Sequence, residues 1–96
     1  MKADQIEELK KTLIDVLRKH DVKKAALFGS IVRGEATDES DIDILVEFEG
    51  RKSLLDLAGL KLDLQEIVRR NVDVLTYKSL HPLLKERILS EQEVIL

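Results

Sequence analysis

Gly29-Ser30 and Asp41-Ile42-Asp43 stand ten residues apart, inside the run Leu-Phe-Gly-Ser-Ile-Val-Arg-Gly-Glu-Ala-Thr-Asp-Glu-Ser-Asp-Ile-Asp-Ile-Leu-Val. Together they suit metal-dependent chemistry on a nucleotide phosphate. Carboxylates two residues apart on a strand share a face and repel each other. A hard divalent ion such as Mg2+ removes the repulsion and fills the rest of its shell with water and phosphate oxygens. Gly29 lets the backbone turn tightly and approach a ligand. Ser30 is expected to cap the turn that follows, so that its hydroxyl and the nearby amides form an anion site. Arg33, about one helical turn further on, is placed to hold a phosphate oxygen in a fork.

Either half alone is unremarkable as chemistry: Gly-Ser is an ordinary turn and Asp-x-Asp an ordinary solvated strand face. Their order on a strand, short helix, strand unit, with a basic residue between them, favours function. The strand follows from alternation. Ile42, Ile44, Val46 and Phe48 are apolar, while Asp41, Asp43, Leu45, Glu47 and Glu49 fill the odd positions. Period two predicts a strand near 41–49 with one buried face.

The remaining elements must position that unit. Asp4 and Glu7 give a capping-box-like start, and Ile6, Leu9, Leu13, Val16 and Leu17 follow at helical spacing to about His20-Asp21. A strand near 23–28 ends at Gly29, with the short helix near 30–34 and a loop over 35–40 after it. Gly50-Arg51-Lys52 breaks the pattern before a long helix near 53–69. Asn71 leads into a short strand in which Val72, Val74 and Thr76 face one way and Asp73, Leu75 and Tyr77 the other. Taken alone, Asp73 is an edge aspartate facing water or pairing with Arg69 or Arg70. Pro82 falls in the first turn of a last helix whose Leu83, Leu84, Ile88 and Leu89 are expected to face inward. Val94-Ile95-Leu96 must dock, and an added edge strand would serve.

The long helix is richer in apolar residues than one face requires. Leu57, Leu60, Leu64, Ile67 and Val68 make one stripe, which Leu54, Leu55, Ala58 and Leu62 widen. Two outcomes are open: the sheet and last helix bury the excess, or a homodimer or partner covers the 53–69 helix or the C-terminus. His20 falls in the last turn of the first helix, where partial positive charge is favourable, and His81 is expected to help cap the last helix beside Pro82, so neither is a catalytic candidate. The Tyr77 hydroxyl is expected in water, and Lys23-Lys24 and Arg69-Arg70 at solvated ends of elements.

Ninety-six residues, 44% hydrophobic, make one domain, 1–96, without room for a separate substrate domain. A net charge of −3 and 3% aromatics give neither a broad basic surface nor a base-stacking platform, so extended nucleic acid is not an expected partner. Cysteine is absent, which excludes disulfides and thiolate zinc sites and is compatible with a reducing compartment. The charged N-terminus and the lack of any membrane-length apolar run predict a soluble, cytoplasmic protein that does not engage a membrane.

The Gly-Ser and Asp-x-Asp pairing resembles the signature of the DNA polymerase β nucleotidyltransferase superfamily, and particularly its minimal nucleotidyltransferases. Ser53-Leu54-Leu55-Asp56-Leu57-Ala58-Gly59-Leu60, Val72-Asp73-Val74-Leu75-Thr76 and Ser79-Leu80-His81-Pro82-Leu83-Leu84 look like the same group. The resemblance implies an α/β (α+β) nucleotidyltransferase fold, a small mixed sheet of three to four strands flanked by helices. It implies that Asp73 is a third carboxylate, completing a metal site with Asp41 and Asp43 or acting on the attacking hydroxyl. It also implies a pair of Mg2+ ions, with ATP or another nucleoside triphosphate as substrate. Gly29, Ser30 and Arg33 would hold phosphates while a nucleoside monophosphate passes to a hydroxyl. The expected partner is a helical HEPN-type protein of a toxin–antitoxin pair, adenylylated on a tyrosine. Two alternatives are a weakly active or inactive module that neutralises or scaffolds such a partner, and a transferase acting on antibiotics, whose members usually carry an extra domain. Ile31 departs from the pattern, since many relatives have an arginine there; weaker triphosphate affinity is the expected result.

Overall fold

The computed structural model describes residues 3–37 and 39–96. Met1 and Lys2 of the charged N-terminus, and Asp38 of the expected 35–40 loop, lie outside the described residues. The elements are α1 (Ala3–Lys19), β1 (Val22–Phe28), α2 (Ser30–Arg33), β2 (Ile42–Phe48), α3 (Leu54–Val68), β3 (Val72–Thr76), a 3-10 turn (Tyr77–Ser79), α4 (Pro82–Glu91) and β4 (Glu93–Val94). The strands form one mixed sheet in the order β3-β2-β1-β4. β1 is antiparallel to both β2 and β4, whereas β2 and β3 run parallel. Parallel neighbours need a crossover, and α3 supplies it.

Alternation along β2 divides the interior in two. Ile42, Ile44 and Val46, with Leu27 and Val72, meet Leu13 and Leu17 of α1 and Leu60 and Leu64 of α3 in the main core. Each such buried side chain contributes about 1.5–3 kcal/mol, so this face carries most of the fold's stability. On the other face Leu45 and Ala26 pack with Leu80, and Ile88 and Leu89 of α4 close over them together with Phe28 and Tyr77.

Local chemistry sets the helix ends. Ser53 and Asp56 form a capping box at the start of α3: the Asp56 amide donates to Ser53 Oγ at 3.3 Å and the Ser53 amide donates to Asp56 Oδ2 at 2.7 Å. The backbone donor holds the Asp56 carboxyl below its ordinary pKa. His81 caps α4 as expected, its Nδ1 accepting from the Leu83 amide at 3.1 Å with Pro82 at the first helical position. At the other end of the chain, β4 pairs with Ala26 and Leu27, and the Ile95 and Leu96 amides donate to the Ala25 carbonyl. The C-terminus is thus the added edge strand.

Several expectations are corrected. Asp4 lies inside the first turn of α1 rather than capping it, because the helix already includes Ala3. Leu83 is 85% exposed and Leu84 51% exposed. The reason is that α4 reaches the sheet through Ile88 and Leu89 only, while Leu80, ahead of the helix, fills the remaining space. Since α4 covers the face opposite α3, it cannot bury the excess on α3, and Leu54 and Leu55 stand 84% and 83% exposed, with Leu62 and Ile67 also exposed. The Tyr77 hydroxyl donates to Gln92 Oε1 at 2.9 Å instead of facing water, and Lys24 Nζ lies 4.8 Å from the Tyr77 ring centroid. His20 does more than end α1: its Nε2 lies 2.6 Å from Asp63 Oδ2 on α3. Arg70 is not a solvated end either, for it is half-buried and bonded to the loop before β2.

Candidate active site

The end of β1 and the starts of β2 and β3 bring the signature residues together. Sheet register fixes one row: Phe28 of β1 is opposite Asp43 of β2, and Asp43 is level with Asp73 of β3. Odd positions on β2 and β3 face away from the main core, so the two carboxyls share a face. They lie close enough to interact, and the Asp43 pKa is raised to about 6. Removal from water is the largest cause, followed by the neighbouring Asp73 carboxyl and then the charge of Asp41; Arg33 pulls the other way. Asp41 is exposed and precedes the first residue of β2, so the sheet ladder does not hold it.

Immediately after Phe28 the chain turns at Gly29, with φ 77° and ψ −149°, a conformation reserved almost wholly for glycine. A side chain would also have no room, because a Cβ built there would lie 2.2 Å from Asp43 Oδ2. Gly29, not Ser30, is the cap of α2: its carbonyl accepts from the Val32 and Arg33 amides, and Ser30 is the first helical residue with no capping bond from its side chain. The expectation of a serine cap is therefore corrected, although Ser30 keeps its place beside Gly29. Ile31 points into the main core and is buried, so the backbone directs the position of the missing second arginine away from the carboxylates. Arg33 Nε lies 3.3 Å from Glu35 Oε2 and Arg33 Nη1 3.6 Å from Glu91 Oε2. A phosphate at Arg33 would have to compete with these carboxylates.

The residues present fit a magnesium ion in a particular way. Among the described residues no three acidic or imidazole groups form a finished cage. What exists is a half-buried pair that repels when ionised, with a third carboxylate close enough to raise the pKa further. Such a set suits an ion that takes few protein ligands and completes its shell from water and phosphate. A concavity of about 730 Å³ lies elsewhere, near the C-terminal ends of β2 and β3, where Phe48, Leu57, Leu75, Tyr77 and Lys78 line it. The signature carboxylates are not part of that concavity. Two local features had no signal in the sequence: Glu91 reaching Arg33 from α4, and Arg70 bonding the loop ahead of Asp41.

Residues 11–96 match the family model described as Polymerase beta, Nucleotidyltransferase. The chain belongs to this nucleotidyltransferase family. A Methanocaldococcus jannaschii protein, provisionally named a protein adenylyltransferase, is 58% identical over 86 residues, covering 90% of this chain and 92% of that protein. A solved structure provisionally described as a minimal nucleotidyltransferase superposes with a TM-score of 0.82 at 34% identity, covering 97% of this chain and 95% of that one. The structure of a tri-AMPylated Shewanella oneidensis HEPN toxin in complex with an MNT antitoxin gives a TM-score of 0.75 at 20% identity, over 94% of this chain and 71% of the other. At that identity the likeness concerns the fold. The nucleotidyltransferase fold accounts for the mixed four-stranded sheet with its flanking helices. No helix among the described residues is long and apolar enough to cross a membrane.

Proposed function

We propose that this nucleotidyltransferase moves AMP from ATP to a hydroxyl on a partner protein, with Mg2+ held by Asp41, Asp43 and Asp73. The observation that carries the reading is the level pairing of Asp43 with Asp73 directly against the Gly29 turn. When bound, magnesium would supply charge neutralisation and Lewis-acid polarisation at the α-phosphate. Asp41 and Asp43 hold the ion side of the site, and Asp73 completes the acidic set and receives the proton of the attacking hydroxyl. The hydroxyl oxygen bonds to the α-phosphorus as the bond to the leaving pyrophosphate breaks. Gly29 keeps the backbone low beneath the nucleotide, while Ser30 and Arg33 bind the departing phosphates; Arg33 exchanges Glu35 and Glu91 for them. Catalysis of this kind is mostly positioning and electrostatics.

The acceptor is assigned to a helical HEPN-type partner in a toxin–antitoxin pair. Support comes from the adenylyltransferase name of the 58% identical relative and from the fold shared with an antitoxin that sits on its AMPylated toxin. Leu54, Leu55 and Leu62 on α3 favour a covering protein, either that partner or a second copy. The test is incubation with α-labelled ATP, Mg2+ and a lysate of the source cells, beside an Asp43→Asn control. Labelling of one protein that disappears in the control supports the proposal, whereas equal labelling by the control contradicts it. A module that only binds would recover its partner with both forms and label nothing.

A further inference from the structure

Asp43 and Asp73 are held in place by neighbouring strands, but Asp41 lies one residue outside β2. Something else must hold it. Arg70, in the short connection from α3 to β3, donates from Nε to the Ser40 carbonyl at 3.1 Å, and its Nη2 donates to the carbonyls of both Ser40 and Thr37. Thr37 and Ser40 already close on each other: the Thr37 amide donates to Ser40 Oγ at 2.8 Å and the Ser40 amide to the Thr37 carbonyl at 3.1 Å. On the far side of Asp41, the Ile42 amide donates to the Asn71 carbonyl at 3.0 Å. Asp41 is therefore suspended between two anchors, Ser40 and Ile42, both fastened to consecutive residues of the segment that leads into Asp73.

We infer that Arg70 is a positioning residue, which fixes Asp41 relative to Asp43 and Asp73 so that the three carboxylates can take up a divalent ion together. The inference rests on the nucleotidyl-transfer reading above. It depends on the planar fork of the guanidinium, whose Nε and Nη2 converge on the Ser40 carbonyl while Nη2 also meets that of Thr37; a lysine ammonium is a single point of charge on a flexible stem and has no second, rigidly placed nitrogen to complete that fork. Outer groups that orient metal ligands are typically worth a factor of about 10–100 in metal affinity, and Arg70 acts through Asp41 in that manner.

The test measures Mn2+ binding by electron paramagnetic resonance in the presence of a non-hydrolysable ATP analogue, for the wild type, R70A and R70K. Circular dichroism melts accompany each protein. The expected result is Mn2+ affinity weakened about tenfold or more in folded R70A, with no rescue by R70K despite its retained charge and aliphatic stem. Should R70A not fold, R70K carries the same comparison. Wild-type Mn2+ affinity in either folded variant overturns the inference alone. A wild type that takes up no Mn2+ with the analogue overturns both the inference and the nucleotidyl-transfer reading on which it rests.

Discussion

Along the β2–β3 pair, neighbouring rows of the sheet do opposite things. Ile42 beside Val72 and Ile44 beside Val74 bury apolar surface against α1 and α3, while between them Asp43 beside Asp73 sets two acids side by side. The same backbone register produces both, because alternate side chains leave a strand on opposite faces. The apolar rows stabilise the fold. The acidic row costs stability when both carboxyls are ionised, first because Asp43 is partly withdrawn from water and then because Asp73 stands beside it, and both raise the Asp43 pKa. The acidic row adds no apolar burial, and its place beside a glycine-only turn is what the proposed binding of a cation and a phosphate rests on.

The largest effect should come from breaking the apolar row. Ile44→Ala removes a fully buried side chain and should destabilise the protein by about 2–5 kcal/mol, read as a lower midpoint in urea at unchanged slope. Asp43→Asn should move stability the other way: at neutral pH the metal-free protein melts at a higher temperature, while nucleotidyl transfer falls by more than about 100-fold, beyond the usual loss for a group that only orients a metal ligand. A variant that lost activity and stability together would remove the contrast between the rows. Gly29→Ala probes the junction between them. It should destabilise by about 1–3 kcal/mol from the backbone conformation alone, and the new Cβ must push Asp43 aside, so activity should fall even where folding is intact.

A smaller effect sharpens the comparison through pH. Asp43 has an ordinary pKa of 3.8 and a folded value of about 6. The folded state thus binds the proton more tightly, and the stability linked to that proton is present below about pH 4 and lost as the pH rises through 6. Wild type should therefore lose thermal stability relative to Asp43→Asn across that range, in the absence of metal. A constant difference between the two proteins would mean that the acidic row carries no strain.

These contrasts also explain which parts of the molecule were legible from residues alone. The β2 alternation was, because period two is a local signal that burial on one face enforces. His81 with Pro82 and the C-terminal apolar residues likewise carried their meaning locally, whereas the Ser53–Asp56 capping box emerged only in the structure. The pairing of Asp73 with Asp43 was not local: it depends on the register of two strands separated by a helix, and only the family resemblance pointed to it. At α4 the expected inward face of Leu83 and Leu84 fails, because a ten-residue helix with scattered leucines does not state which half meets the sheet. Arg70 and Glu91 were invisible for the same reason, since each acts on a loop or helix distant in sequence.

Whether the Asp43–Asp73 pair is held strained for a cation is read from a titration of the Asp43 side-chain carboxyl carbon by NMR, without metal and then with Mg2+ and a non-hydrolysable ATP analogue. A pKa of about 6 is expected in the free protein, with a fall below the ordinary carboxylate value of about 4 once ion and nucleotide are added. An Asp43 that titrates near 4 in the free protein, or one that Mg2+ and the analogue leave unmoved, would contradict a pair held strained for a cation.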